Sequence, residues 1–171
     1  RATAEDEETG TADILLSLPI SRRSVILTRM AAMLSALTAL ATALFVTLII
    51  GATFLDLSIA VMRYIDAGIV LILVGMVFGS ISMLFGTITG HKGAALGYSV
   101  GLAIALFVLY SLAPLVSAFD TILKFNPLQW TIGSQPLALG IDVPYTLLAL
   151  GVTAVVMAGA TLMFERRDIV A

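Results

Sequence analysis

Charge is what this sequence has least of. Only 12% of its 171 residues are Asp, Glu, Lys or Arg, and 60% are hydrophobic. A water-soluble domain carries about 25% charged residues, because its surface must face water. So little charge cannot cover a soluble globule, whereas apolar runs long enough to span a bilayer account for the deficit directly. The chain has no cysteine, which excludes disulfides, thiolate metal sites and cysteine nucleophiles without fixing a compartment. It has a single histidine, His91, and neither an H-E-x-x-H nor a G-x-x-x-x-G-K-[ST] motif, so it builds no zinc site of that type and hydrolyses no ATP itself. No basic tract suggests a nucleic-acid partner.

What is present is a polar head followed by long apolar runs. Four charge-free stretches, at about 30–55, 67–90, 93–119 and 145–164, are each long enough to span a bilayer. They predict an all-α polytopic membrane protein, with a cytoplasmic segment at 1–29 and a transmembrane domain at 30–171. No ionisable residue sits well within any span, which argues against proton coupling inside the bilayer. His91, beside Lys92 in the short break between the second and third runs, reads as a loop residue. Arg1 opens the chain in a charged segment with neither an initiator methionine nor a signal-peptide pattern, so an N-terminal part is expected to be missing.

Orientation follows from the basic residues. With the head inside and four spans alternating, Arg1, Arg22, Arg23, Arg29, Lys92, Arg166 and Arg167 lie inside and only Arg63 and Lys124 outside. That is seven against two, as the positive-inside rule requires. Both ends of the chain are therefore expected in the cytoplasm.

The segment 120–144 is too short and too broken to span twice. Pro127, Pro136 and Pro144 divide it, and Asn126-Pro127 reads as a cap followed by proline at the first helical position. Trp130, the only tryptophan, suits an interfacial depth. The expectation is two short helices lying in or dipping into the outer leaflet, with an ordinary extracellular loop as the alternative. Within the spans, Gly75 and Gly79, Gly86 and Gly90, and then Gly93, Gly97 and Gly101 recur at intervals of four, the spacing that lets helix backbones approach closely. With so short a break at His91, spans two and three should form a tight hairpin. Ser35, Thr38 and Thr42 make a mildly polar stripe on the first span, fit to line a cavity or a subunit interface or simply to bond their own helix.

The head is the one long stretch that mixes charge, glycine, proline and an apolar run. Thr11 can cap a short helix carrying Ile14, Leu15 and Leu18 on one side, which Pro19 ends. Ser21 is a candidate cap for the first membrane helix. The run Glu7-Glu8-Thr9-Gly10-Thr11, then Leu15-Leu16-Ser17-Leu18-Pro19-Ile20-Ser21-Arg22, resembles the cytoplasmic signature of ABC-2-type transporter permeases, the membrane subunits of ATP-binding-cassette exporters. The close Phe164-Glu165-Arg166-Arg167-Asp168 and the paired-helix segment before the last span are similar too. The resemblance places the chain at spans three to six of a six-span subunit, although many relatives have Gly-Lys where Thr28-Arg29 stands here.

It implies that Glu7, Glu8, Gly10, Thr11, Ile14, Leu15, Leu18, Pro19, Ser21 and Arg22 form a coupling helix that docks on a separate ABC ATPase subunit. The expected assembly pairs two permease copies, as homodimer or heterodimer, with two ATPase subunits in a prokaryotic plasma membrane and in contact with its lipid. ATP and magnesium would be held by the ATPase, and this chain would hold no cofactor. The reading from another class is a membrane-embedded enzyme or anchor that needs no ATPase.

Overall fold

A computed structural model of the chain describes residues 22–115 and 119–166. Residues 1–21, which hold Glu7 to Ser21 of the expected coupling segment, lie outside the described part. The described residues are helical, with no strand among them. The long helices are α1 (Arg22–Phe54), α2 (Val61–Thr89) and α3 (Lys92–Leu112). A 3-10 turn at Ala113–Leu115 follows α3, and two single-turn helices come next, α4 (Asp120–Leu123) and α5 (Pro127–Trp130). Another 3-10 turn, Ile132–Ser134, precedes the last long helix, α6 (Val143–Arg166). Four of these elements, Ile26–Phe54, Val61–Thr89, Lys92–Leu115 and Val143–Phe164, are long and apolar enough to cross a membrane.

The boundaries differ from the sequence reading in an instructive way. Charge alone puts the start of the second span at Ala67, but α2 starts at Val61 and takes Arg63, Tyr64 and Asp66 into its first turns. One turn apart, Arg63 and Asp66 meet at 3.4 Å, so both charges sit on the helix without facing lipid singly. α1 likewise extends back to Arg22. At 1.5 Å per residue it is about 50 Å long, well beyond a hydrocarbon core of roughly 30 Å, so its basic end reaches past the apolar layer. Pro114 does not continue α3 as an α-helix; the chain tightens into the 3-10 turn there.

α2 is the centre of the bundle, packing along α6, α1 and α3. A third of its apolar window is buried by protein, against 6% for α1 and for α3. One cluster joins Ile26 and Met30 at the start of α1 to Met83 of α2 and Met157 and Phe164 of α6. The start of α1 and the end of α6 are thus at the same end of the bundle, as an even number of alternating spans requires. A second cluster joins Val77 and Ile81 of α2 to Tyr145, Ala149 and Val152 of α6, with Trp130 between them. Hydrophobic transfer from water does not drive such contacts inside a bilayer; close packing and satisfied hydroxyls do. Ser80, Thr87 and Thr153, all buried, bond the carbonyls of Val77, Leu84 and Ala149 on their own helices.

The glycines fall into different roles. Gly75 and Gly79 lie against α1, where a Cβ would fall on the Leu37 side chain and the Met33 thioether respectively. Gly86 is buried on α2, and Gly90 ends that helix in the left-handed region (φ 66°), its N–H bonding the Gly86 carbonyl. Only His91 then separates Gly90 from α3, and Phe85 and Tyr98 meet across the hairpin with ring centroids 5.8 Å apart. Gly93, Gly97 and Gly101 sit on the exposed side of α3, and a Cβ on any of them would meet nothing within 4 Å. They line no groove between the described helices; α3 packs on α2 with its other face. Replacing Gly75 by leucine should therefore push α1 from α2 and cost about 1–3 kcal/mol, whereas Gly97→Leu should leave the thermal unfolding midpoint of the detergent-solubilised chain unchanged.

Candidate functional site

At the end of the bundle opposite Ile26 and Phe164, three connections meet: the α1–α2 turn, the α3–α6 segment and the first turns of α2. Asn126 fixes the second of these. Its side chain caps α5 by accepting from the Leu128 N–H at 3.0 Å, with Pro127 at the first helical position. Its Nδ2 also donates to the Leu106 carbonyl on α3 at 2.8 Å, and the residue is 1% exposed. Leu106 lies about 9 Å along the axis before the end of α3, at 1.5 Å per residue. Trp130 is buried against α2 and α6, and its indole N–H donates to the Lys124 carbonyl at 2.6 Å. The indole thus spends its one donor on the loop and its ring on the core. Each of α4 and α5 is one turn long, since Pro127 and the irregular backbone at Thr131 leave no room for more.

Gly140 pins the same segment to α2. Its φ of +93° is one that L side chains rarely adopt, and a Cβ there would fall on the Arg63 guanidinium and lie 3.1 Å from Asp66 Oδ2. The Arg63–Asp66 pair therefore lies directly beneath a loop backbone that only glycine fits. Two residues on, Asp142 Oδ1 accepts from the Tyr145 N–H at 3.2 Å, capping α6. Gly140→Ala should lower stability by about 1–2 kcal/mol through backbone strain alone. Adding Arg63→Ala should recover only the steric part, so the double variant's melting temperature stays below that of Arg63→Ala.

Two concave surfaces formed by described residues bear on function. The first is a broad furrow along one face of α1, lined by Ser35, Thr38, Ala39, Thr42, Ala43 and Thr47 among others, with a volume of about 1040 Å³. The hydroxyls of Ser35, Thr38, Thr42 and Thr47 each bond a carbonyl of α1 itself, so the stripe is a smooth face of small side chains and not a row of free donors. The second is a cup of about 410 Å³ in the α1–α2 turn, described further below. No group of three or more His, Asp or Glu side chains capable of holding a metal occurs among the described residues. His91 is exposed at the start of α3, its backbone N–H directed to the Thr89 hydroxyl at 3.4 Å.

Of the residues expected to couple the chain to an ATPase, only Arg22 is described, as the first residue of α1. Glu7, Glu8, Gly10, Thr11, Ile14, Leu15, Leu18, Pro19 and Ser21 lie outside the described residues. Sequence reasoning missed the Asn126–Leu106 bond and the Arg63–Asp66–Gly140 contact. The spacing of Arg63 and Asp66 hints at their pairing, but nothing local points to Leu106 or Gly140.

A helical bundle with four bilayer-length apolar helices, stapled at one end by a broken segment, defines a multi-pass membrane protein. Comparison with protein families makes the class specific. The sequence model described as ABC-2 family transporter protein matches residues 1–169. The chain belongs to that family, whose members are membrane subunits of ABC transporters and not catalysts. Neither the curated proteins nor the solved structures gave a match to the chain.

Proposed function

We propose that the chain is the permease part of an ATP-driven exporter of the prokaryotic plasma membrane, moving its substrate by alternating access while a separate ABC ATPase subunit hydrolyses ATP. The match along residues 1–169 to the ABC-2 transporters carries this reading, and the head signature from Glu7 to Arg22 supplies its coupling element. Ile14, Leu15 and Leu18 fill a groove on the ATPase, and Glu7 and Glu8 meet basic residues at its rim, which favours encounter and register more than affinity. Pro19 and Ser21 join that helix to α1, so movement of the ATPase is delivered to α1 and through its packing to α2. ATP and magnesium belong to the ATPase.

The distribution of basic residues, seven against two, supports cytoplasmic ends for the chain. The segment from Asn126 to Gly140 then belongs to the outer side. Its hydrogen bond to Leu106 and the seating of Trp130 against Val77, well within α2, support a re-entrant position over a surface loop. The furrow on α1 and the exposed face of α3 with Gly93, Gly97 and Gly101 are available to a second permease copy or to further helices.

Purification of the full-length protein in mild detergent tests the reading. An ABC ATPase subunit is expected to accompany it in equal amount. Isolation without any ATPase, from cells that express the neighbouring genes, would favour an anchor or enzyme that works alone.

A further inference from the structure

The cup in the α1–α2 turn has features that the transporter reading does not use. Its walls are apolar, with Ile49 from α1, Leu57 and Ile59 from the turn and Val61 from α2, while Asp56 and Ser58 bring the polar groups. Asp56 is exposed and makes no ion pair among the described residues. Tyr64 lines the cup from α2 and is 4% exposed, and its hydroxyl is the one buried side-chain polar atom among the described residues with no hydrogen-bond partner. A phenol enclosed in that way normally finds a partner. The cup's volume of about 410 Å³ falls in the range of small-molecule sites, roughly 300–1,000 Å³. Its position, where two membrane helices turn back, puts it at the depth of lipid headgroups.

We propose that this cup binds the headgroup of an aminophospholipid, with the primary ammonium on the Asp56 carboxylate, the phosphate at the Ser58 hydroxyl and an acyl chain along Ile49 and Val61. A primary ammonium donates charge-assisted hydrogen bonds to a carboxylate; a choline headgroup has no N–H to donate, and an anionic headgroup is repelled by Asp56. The surrounding charge favours the same choice. Among the described residues, Asp56, Asp66, Asp120 and Asp142 share this end with only Arg63 and Lys124, and Arg63 is engaged with Asp66. Occupancy also gives the Tyr64 hydroxyl a phosphate oxygen to which it can donate a hydrogen bond, once the ring turns toward it. The site depends on the chain lying in a bilayer, and on neither the coupling helix nor an ATPase.

Native mass spectrometry of the full-length protein in mild detergent, with an equimolar mixture of phosphatidylethanolamine, phosphatidylcholine and phosphatidylglycerol, tests the assignment. Bound phosphatidylethanolamine should exceed phosphatidylglycerol by roughly tenfold, the value of one good charge-assisted contact, with phosphatidylcholine between them. Asp56→Asn, which keeps a residue tolerant of the φ of 48° found there, should erase the preference. Equal retention of the three lipids by the wild type, or an unchanged preference in Asp56→Asn, would overturn the proposal. Tyr64→Phe should raise the melting temperature in lipid-free detergent and shrink the further rise that phosphatidylethanolamine produces; an undiminished rise would remove Tyr64 from the site. Displacement of the lipid by millimolar glycerophosphoethanolamine would show that the occupant is a soluble amine and overturn the lipid assignment. Leu15→Asp, which acts on ATPase docking, should leave the lipid preference intact, so the two readings fail separately.

Discussion

Replacing Leu15 by aspartate is expected to abolish co-purification of the ATPase while leaving the chain inserted in the membrane. In the proposed coupling helix, Leu15 is the central one of Ile14, Leu15 and Leu18, the apolar residues assigned to the groove of the ATPase. A leucine anchor truncated at such a position costs about 2 kcal/mol or more, and a carboxylate adds the expense of burying an unpaired charge. A total of about 3 kcal/mol lowers affinity roughly a hundredfold. Insertion should be unaffected, because the apolar runs that direct it begin beyond Leu15. The informative control is Glu7→Gln with Glu8→Gln, which should slow association and weaken its salt dependence while keeping most of the affinity. Normal transport by Leu15→Asp would remove the coupling role from this helix.

The second large effect is expected at Asn126. Asn126→Ala removes the cap of α5, worth about 1 kcal/mol, and the bond to the Leu106 carbonyl, worth about another 1 kcal/mol. Both bonds converge on one buried side chain, so about 2 kcal/mol should be lost and the segment from α4 to Gly140 should loosen. Trp130 reports this directly, since it is the only tryptophan in these 171 residues and sits buried four residues away. Its emission should shift to the red in Asn126→Ala. Asn126→Ser separates the two bonds: a serine can cap α5 but is too short to reach Leu106, so about half of the stability should return. An unchanged Trp130 emission in Asn126→Ala would mean that the segment is held by other contacts.

The spans were legible because a bilayer imposes a length on an apolar run, and length is visible in a sequence. Their edges were less so. Arg63 and Asp66 marked a connection when read as single charges, yet on a helix they neutralise one another and extend α2 by more than a turn. The Asn126-Pro127 cap was readable because its partner, the Leu128 N–H, is local. Its second bond, to Leu106, was not, because nothing in the local pattern specifies which helix lies alongside. The same holds for Gly140, whose need for glycine comes from its positive φ and also from Arg63, far away in the chain.

Glycine spacing carried half of its message. Gly75 and Gly79 do face a neighbouring helix, α1, while Gly93, Gly97 and Gly101 repeat the pattern with no described helix against them. Spacing specifies a smooth face; which helix covers it depends on the packing of the whole bundle. The centrality of α2 was likewise invisible, since all four runs are similarly apolar and only their packing distinguishes the covered from the uncovered.

The central claim is that this chain is driven through its head by a separate ATPase, and a site-specific crosslink tests it most directly. These 171 residues contain no cysteine, so Leu18→Cys, carrying a photoreactive maleimide in the full-length protein with any cysteine outside them replaced, is labelled at one site. Illumination in native membranes should yield one dominant adduct with an ABC ATPase subunit, and its yield should change when ATP and vanadate trap the ATPase in one state. Adducts with lipid alone, in cells where the neighbouring ATPase gene is expressed, would contradict the account.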